Sequence, residues 1–242
     1  MANVLVNAFH TYSKHLELIA FSAVSLILAF VVPLLSPFPT YLDIGSTFIR
    51  TASVFTNLTP FSIVVIIAST LFSLLFLSFA IVVINLTVKY RKTGAKLGRD
   101  VIGGLERYTG NVFLVLFLFT SILMLVNIVS YNTSFSGLLT AIVGLILTPF
   151  LFYAPSAIVI DERRFVRAVQ SSISFIRKRP SYLLIWIAIT IVILSATDLI
   201  FMPLGAVISG YVLLFVDSIF VLPFILVLQS EMYINRFDML KG

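Results

Sequence analysis

The sequence has no cysteine and few charged residues. Without cysteine, disulfide bonds, iron–sulfur clusters and zinc sites with thiolate ligands are excluded. Only 11% of the 242 residues are charged, whereas a soluble domain usually carries about 25%. This deficit leaves too few charged side chains to cover a surface in water. We therefore infer that lipid surrounds most of this chain.

Catalytic signatures are missing as well. The sequence contains no phosphate-binding glycine loop, no dinucleotide fingerprint, no H-E-x-x-H motif and no plausible Ser/His/Asp set. His10 and His15 have a spacing that puts them on different faces of a helix, which does not suit a metal pair. We therefore expect no enzymatic activity, no cofactor and no bound metal.

Long apolar runs dominate what the sequence does contain. Apolar residues make up 60% of the chain, and the mean hydropathy is +1.13. A helix needs about 20 predominantly apolar residues to cross the hydrocarbon core of a bilayer. The sequence predicts an all-α, polytopic membrane protein with a single transmembrane domain over residues 1–242. Its six predicted spans cover residues 18–35, 61–88, 112–131, 138–160, 182–202 and 206–228.

Three shorter segments are predicted to be amphipathic helices. They cover residues 3–16, 99–110 and 162–179, and each precedes a pair of spans. Gly103 and Gly104 are expected to weaken the second one. The regular order suggests three repeated units, each an amphipathic helix followed by a helical hairpin. The alternative is that any amphipathic helix leading into a span would look similar, and both explanations stay open.

The segment 162–179 is strongly basic. Its apolar residues recur at helical spacing and share one face, formed by Phe165, Val169, Ile173 and Ile176. Most other positions, including Ser171, fall elsewhere on the helix. Each Lys or Arg close to an anionic membrane surface contributes about 1 kcal/mol. No aromatic platform for bases alternates with these cations, so no nucleic-acid partner is expected. We predict headgroup contact for Arg163, Arg164, Arg167, Arg177, Lys178, Arg179, Lys89, Arg91 and Lys92.

The distribution of cations predicts an orientation. All but one of the 16 Lys and Arg residues precede span one, follow span six, or lie between spans two and three or four and five. The exception is Arg50. Because cytoplasmic loops are enriched in Lys and Arg, we predict a cell-membrane protein with both termini in the cytoplasm.

A short motif joins the end of span four to the helix that follows. It consists of Tyr153, Ala154, Pro155, Val159, Asp161, Ala168, Val169 and Ser172. This motif and the six-span layout resemble the membrane domain associated with glycerophosphoryl diester phosphodiesterases and its stand-alone relatives in prokaryotes. In that group the catalytic phosphodiesterase is a separate soluble domain. The resemblance therefore implies a membrane module and not an enzyme.

Ionisable residues and prolines inside the spans are the candidate site. Asp217 lies near the middle of span six, where an ionised carboxylate costs on the order of several kcal/mol. It is either a proton or cation site or a neutral carboxyl that is hydrogen-bonded to a neighbouring helix. Asp198 lies near the predicted outer end of span five. Pro149, Pro155 and Pro223 either line a gate or curve their helices, and curved packing is favoured.

These features favour a non-enzymatic scaffold, or the membrane component of a larger assembly with a membrane-protein or ATPase partner. The alternative is a transporter or channel that uses Asp217. A continuous polar cavity that reaches Asp217 would favour transport, and a solid apolar interior would favour the scaffold.

The predicted topology can be tested with single-cysteine variants, because the chain has no cysteine of its own. In whole cells, Thr133→Cys should react with a membrane-impermeant thiol reagent. Ala95→Cys should react only after the membrane is permeabilised. The reverse pattern would refute the orientation.

Overall fold

Helices make up most of the chain. The computed structural model describes residues 2–34, 40–43, 46–49, 59–93, 97–130, 133 and 135–235. A π-helical turn, Asp217–Val221, joins the last two helices. Two short strands pair in antiparallel fashion and form a hairpin. The elements are α1 (Ala2–Lys14), α2 (Leu16–Leu34), β1 (Thr40–Asp43), β2 (Ser46–Ile49), α3 (Pro60–Thr93), α4 (Leu97–Ser130), α5 (Ser136–Leu151), α6 (Ala154–Ile160), α7 (Phe165–Lys178), α8 (Pro180–Phe201), α9 (Ala206–Val216) and α10 (Leu222–Ile234).

Within the described ranges, six helical stretches are long and apolar enough to cross a membrane. They are Leu16–Leu34, Ile63–Arg91, Val101–Ser130, Gly137–Ile160, Pro180–Leu204 and Ile208–Ile234. The predicted all-α, polytopic fold with six spans is therefore confirmed. The orientation in the membrane and the extent of a single domain stay predictions, and Arg50 lies outside the described residues.

Several helices extend beyond the predicted spans, and two of these extensions change the interpretation. Span six was predicted to end at residue 228, but α10 continues to Ile234, and its last turns are buried or half-buried. The predicted amphipathic segment 99–110 is not a separate helix, because α4 runs through it into span three. Gly104 lies where α4 packs against α3: a Cβ there would lie 2.7 Å from a Leu86 side-chain carbon, so glycine lets the two helices approach closely. The threefold repeat stays a prediction.

The buried face of α7 differs from the predicted one. Ala168, Ser171, Ser172, Phe175 and Ile176 are buried, whereas the predicted positions 165, 169 and 173 are only half-buried. The face is rotated toward the serines because their hydroxyls have partners on other elements. Hydrophobic spacing alone could not indicate this, since it places serine on the polar side.

Span four is broken between α5 and α6. The Ser172 hydroxyl of α7 is inserted at the break, where it donates to the Pro149 carbonyl at 2.9 Å and accepts the Tyr153 amide at 3.1 Å. It therefore replaces one backbone hydrogen bond of a continuous helix. The Gln229 side-chain amide of α10 donates to the Phe152 carbonyl at 2.5 Å. Each of these backbone groups, freed by the break, has a side-chain partner.

The core lies at the end of the bundle that is predicted to be cytoplasmic. Tyr153 is fully buried there and contacts three aromatic rings, those of Phe152, Phe175 and Tyr233, at centroid distances of 4.7, 4.6 and 5.7 Å. The cluster also includes residues of α1, α3, α4 and α6. Aromatic pairs of this kind contribute about 0.5–1.5 kcal/mol beyond their buried area. The short helix α6 is enclosed on all sides, since Ala154–Val159 are all buried.

Removal of the Ser172 hydroxyl tests the role of the break. Ser172→Ala should lower the free energy of unfolding by about 1–3 kcal/mol, because it leaves the Pro149 carbonyl and the Tyr153 amide unpaired. Ser174→Ala is the matched control, since Ser174 is exposed on the same helix and should change stability little. Denaturant titration in mixed micelles measures both. Equal stability of the two variants would contradict this role.

Candidate functional site

Charged and polar side chains converge at the core end of the bundle. We call this group the polar joint, and it consists of Thr11, Lys89, Arg91, Arg107, Asp161, Glu162, Arg163, Ser171, Glu231 and Tyr233. It connects α1, α3, α4, α7 and α10 to the loop between α6 and α7. Its side chains form three clusters.

The first cluster ties α1 to two spans. Glu231 of α10 is only 2% exposed, and it pairs with Arg91 of α3 at 3.0 Å. Thr11 of α1 donates to the same carboxylate at 2.7 Å and accepts a hydrogen bond from Arg91. Arg91 also donates to the Asn7 carbonyl at 2.7 Å. A buried carboxylate is tolerated when it is paired and hydrogen-bonded in this way.

The second cluster closes the end of α6. Lys89 donates to the Val159 carbonyl at 3.0 Å and to Glu162 at 2.9 Å, and Arg107 reaches the other Glu162 oxygen at 2.8 Å. The backbone of Glu162 is left-handed, with φ of 55°. A residue other than glycine there costs about 1–2 kcal/mol, and the two cations hold Glu162 in place. This turn ends α6 and directs the chain into α7.

The third cluster connects the loop to α7 and α10. The Tyr233 hydroxyl donates to Asp161 at 2.8 Å and lies 3.0 Å from the Ser171 hydroxyl. Arg163 lies 3.3 Å from the same Asp161 oxygen. Both loop carboxylates, Asp161 and Glu162, are therefore neutralised by cations of the protein itself.

The predicted headgroup contacts separate into two groups. Lys89 and Arg91 point inward and have protein partners, while the side chain of Lys92 lies outside the described residues. Arg164, Arg167, Arg177 and Lys178 are exposed, and no carboxylate pairs with them among the described residues. Arg179 stacks on the Tyr182 ring at 5.7 Å. The predicted lipid contact of these outward cations stays a prediction.

Asp217 lies at a π-helical turn in span six. It is 1% exposed, and its Oδ1 atom and the hydroxyl of Ser218 have no hydrogen-bond partner among the described residues. Thr197 and Asp198 of α8 interact with it, so the two candidate carboxylates lie within electrostatic range of each other. The Thr197 hydroxyl itself donates to the Leu194 carbonyl at 2.8 Å.

Pro223 accounts for the irregular backbone next to Asp217. A proline has no amide hydrogen and its ring displaces the carbonyl four residues earlier, which here belongs to Ile219. The Tyr12 hydroxyl of α1 approaches that carbonyl at 3.5 Å, and the Leu222 amide bonds to the Asp217 carbonyl instead of continuing the α-helical pattern. The π-helical turn in span six therefore lies just before Pro223, beside Tyr12 of α1. Turns of this kind are frequent at functional sites.

Sequence reasoning missed the part of the site formed by α10. Gln229, Ser230, Glu231 and Tyr233 lie beyond residue 228, the predicted end of span six, yet all four bond to other elements. Ser230, for example, donates to the Asn85 side chain at 2.9 Å. The apolar residues Met232 and Ile234 in the same segment are the sequence signal that the helix continues and packs against the bundle. The partners of the four polar residues on other elements lie 62 or more positions away in the sequence, so local spacing could not identify them.

Comparison with known proteins adds no relationship. The chain matches no protein-family model, and it has no significant similarity to a curated protein or a solved structure. The resemblance to the phosphodiesterase-associated membrane domain rests on eight positions. Seven of them lie at the break in span four, on α6 or on α7: Tyr153, Ala154, Pro155, Val159, Ala168, Val169 and Ser172. Six of these seven are buried, and Val169 is half-buried.

Glu162 should make stability depend on pH. The hydrogen bond and charge of Lys89, with further contributions from Tyr108 and Arg107, lower the pKa of Glu162 below its usual 4.5. A carboxylate with a lowered pKa stabilises the fold above its unfolded-state pKa, and this contribution is lost as the pH falls through the folded-state value. Glu162→Gln should therefore be less stable than wild type at pH 7, with the difference shrinking below pH 4.5.

Unfolding at a series of pH values measures this difference. Glu106→Gln, an exposed change on α4, should keep the pH dependence of the wild type. A gap between wild type and Glu162→Gln that persists undiminished in acid would show that the ionised carboxylate is not the stabilising group.

Proposed function

We propose that this chain is a non-enzymatic scaffold of the cell membrane, or the membrane component of a larger assembly. Both termini face the cytoplasm, and the basic helix α7 rests against anionic headgroups. In this proposal the charged residues of the polar joint hold the helices together and do not perform chemistry. Their mutual pairing supports that role, since each carboxylate described in the joint contacts a cation of the same chain.

The surface of span five is the observation that carries the proposal. Among the residues of α8, all of which the structure describes, only Tyr182 is buried. The bulky residues Val192 and Leu199 are 67% and 70% exposed. The small residues Ala188, Ser195 and Ala196 are exposed on the same side of the helix. Small residues let membrane helices approach one another closely, so this face suits a helix of another protein.

The resemblance to the membrane domain associated with glycerophosphoryl diester phosphodiesterases points the same way. Such a module would act beside a separate catalytic protein. The burial of most of its matching positions supports their role as a structural signature of the fold and not as a reactive site.

Site-specific photo-crosslinking tests the assembly proposal. A benzophenone amino acid at Val192 should give a discrete protein adduct in native membranes. Leu125 of α4, which is 60% exposed, is the control and should give lipid adducts alone. Absence of a protein adduct specific to Val192 would contradict the proposed interface.

Asp217 supports a second candidate, a proton-coupled transporter. The observation in favour is its buried Oδ1 atom at a π-helical turn, which has no hydrogen-bond partner among the described residues. Proteoliposomes distinguish the two functions. Proton uptake that Asp217→Asn abolishes would establish transport, whereas the scaffold proposal predicts no uptake by either protein.

A further inference from the structure

We propose that the protein holds one anionic phospholipid in a dedicated site. The phosphate occupies a basic groove at the start of α7, and an acyl chain enters an intramembrane cavity beside the break in span four. This inference goes beyond the assembly role, because it requires only that the chain be embedded in a membrane.

The groove has a volume of about 1330 Å³ and is open to the outside. Its two carboxylates, Asp161 and Glu162, are already paired with Arg163, Lys89 and Arg107. The remaining charged groups are cations without a carboxylate partner among the described residues. Therefore the groove presents unbalanced positive charge to a ligand. Its lining residues are Asn111, Phe165, Val166, Gln170 and the cations Arg163, Arg164 and Arg167.

A second cavity, of about 210 Å³, lies between the helices and, like the groove, is open to the outside. Its walls are mostly apolar and come from α3, α4, α5, α6 and α10. Polar side chains are few there: Asn85, Thr148, Ser156 and Gln229. A mostly apolar slot with a few polar groups suits the glycerol esters and upper acyl chain of a lipid better than a small soluble anion.

The same helix face lines both spaces. Asn111 of α4 lines the groove, and Val115 and Phe119, at successive four-residue intervals, line the cavity. Four residues of helix rise about 6 Å, so the cavity begins roughly one turn deeper in the membrane. On α6 the order is the same, since Ser156 lines the cavity and the groove lies beyond Ile160. One phospholipid therefore matches both spaces, with its phosphate at the basic end and its chain in the apolar part.

Charge variants at the two ends of α7 test the headgroup site. Native mass spectrometry of the full chain in detergent should show one tightly retained phosphatidylglycerol in preference to phosphatidylcholine. Arg164→Gln/Arg167→Gln should weaken this binding roughly thirty-fold, since two headgroup contacts are lost. Arg177→Gln/Lys178→Gln removes the same charge from the other end of the helix and should leave binding unchanged.

Cavity variants test the acyl site. Leu116 lines the cavity, and Leu116→Trp should fill it and abolish tight retention. Leu118→Trp is the control, since Leu118 faces outward on the same helix and is 37% exposed. Phosphatidylglycerol should bind more tightly than glycerol phosphate or inorganic phosphate, neither of which should displace it.

Three results would overturn the site. They are equal losses from the two charge variants, retention that Leu116→Trp does not change, and displacement of the lipid by inorganic phosphate. The first would indicate that the lipid is attracted to the basic surface in general. The second would show that the cavity does not hold the acyl chain. The third would indicate a site for free anions. The crosslinking at Val192 is independent of all three outcomes, so the two proposals can fail separately.

Discussion

Hydrocarbon offers no hydrogen bonds, so each polar group of the backbone inside the membrane needs a partner within the protein. The irregular places in the spans follow this constraint. Pro33 leaves the Ala29 carbonyl without its helical donor, and the Ser73 hydroxyl supplies one at 2.6 Å. Ser172 does the same for Pro149 at the break in span four. Side chains from neighbouring helices therefore decide where a span can bend, and their positions fix how the helices pack.

The polar joint extends this constraint to charged groups. Lys89 and Arg91 belong to the cationic end of the protein, yet their ammonium and guanidinium groups are used to neutralise Glu162 and Glu231. Cations of the same end therefore serve two purposes. Those that point inward fix the loop between α6 and α7 and attach α1, whereas those that point outward, such as Arg164, are available to anionic lipid. The inward-pointing cations therefore fix the loop that forms the groove, and outward-pointing cations such as Arg164 line that groove.

Sequence patterns predicted the spans because hydropathy is a local property, and each span carries its own signal. They also identified Asp217 and Pro223, since a charge or a proline stands out in an apolar run. They failed where a distant partner decides the structure. Glu231 follows an apolar span and looks like the start of a polar tail until Arg91 is known to face it. Ser171 looks like a surface residue until Tyr233 is placed beside it.

The buried residues at the polar joint should be strongly protected, although they lie at the predicted cytoplasmic end of the bundle. Hydrogen exchange in lipid nanodiscs tests this directly, because the joint lies at the predicted cytoplasmic end, within reach of water. Amides of residues 154–160 and 229–234 should exchange as slowly as those of residues 80–88, which are buried in α3. Exchange there as fast as in the exposed loop 162–164 would contradict the account.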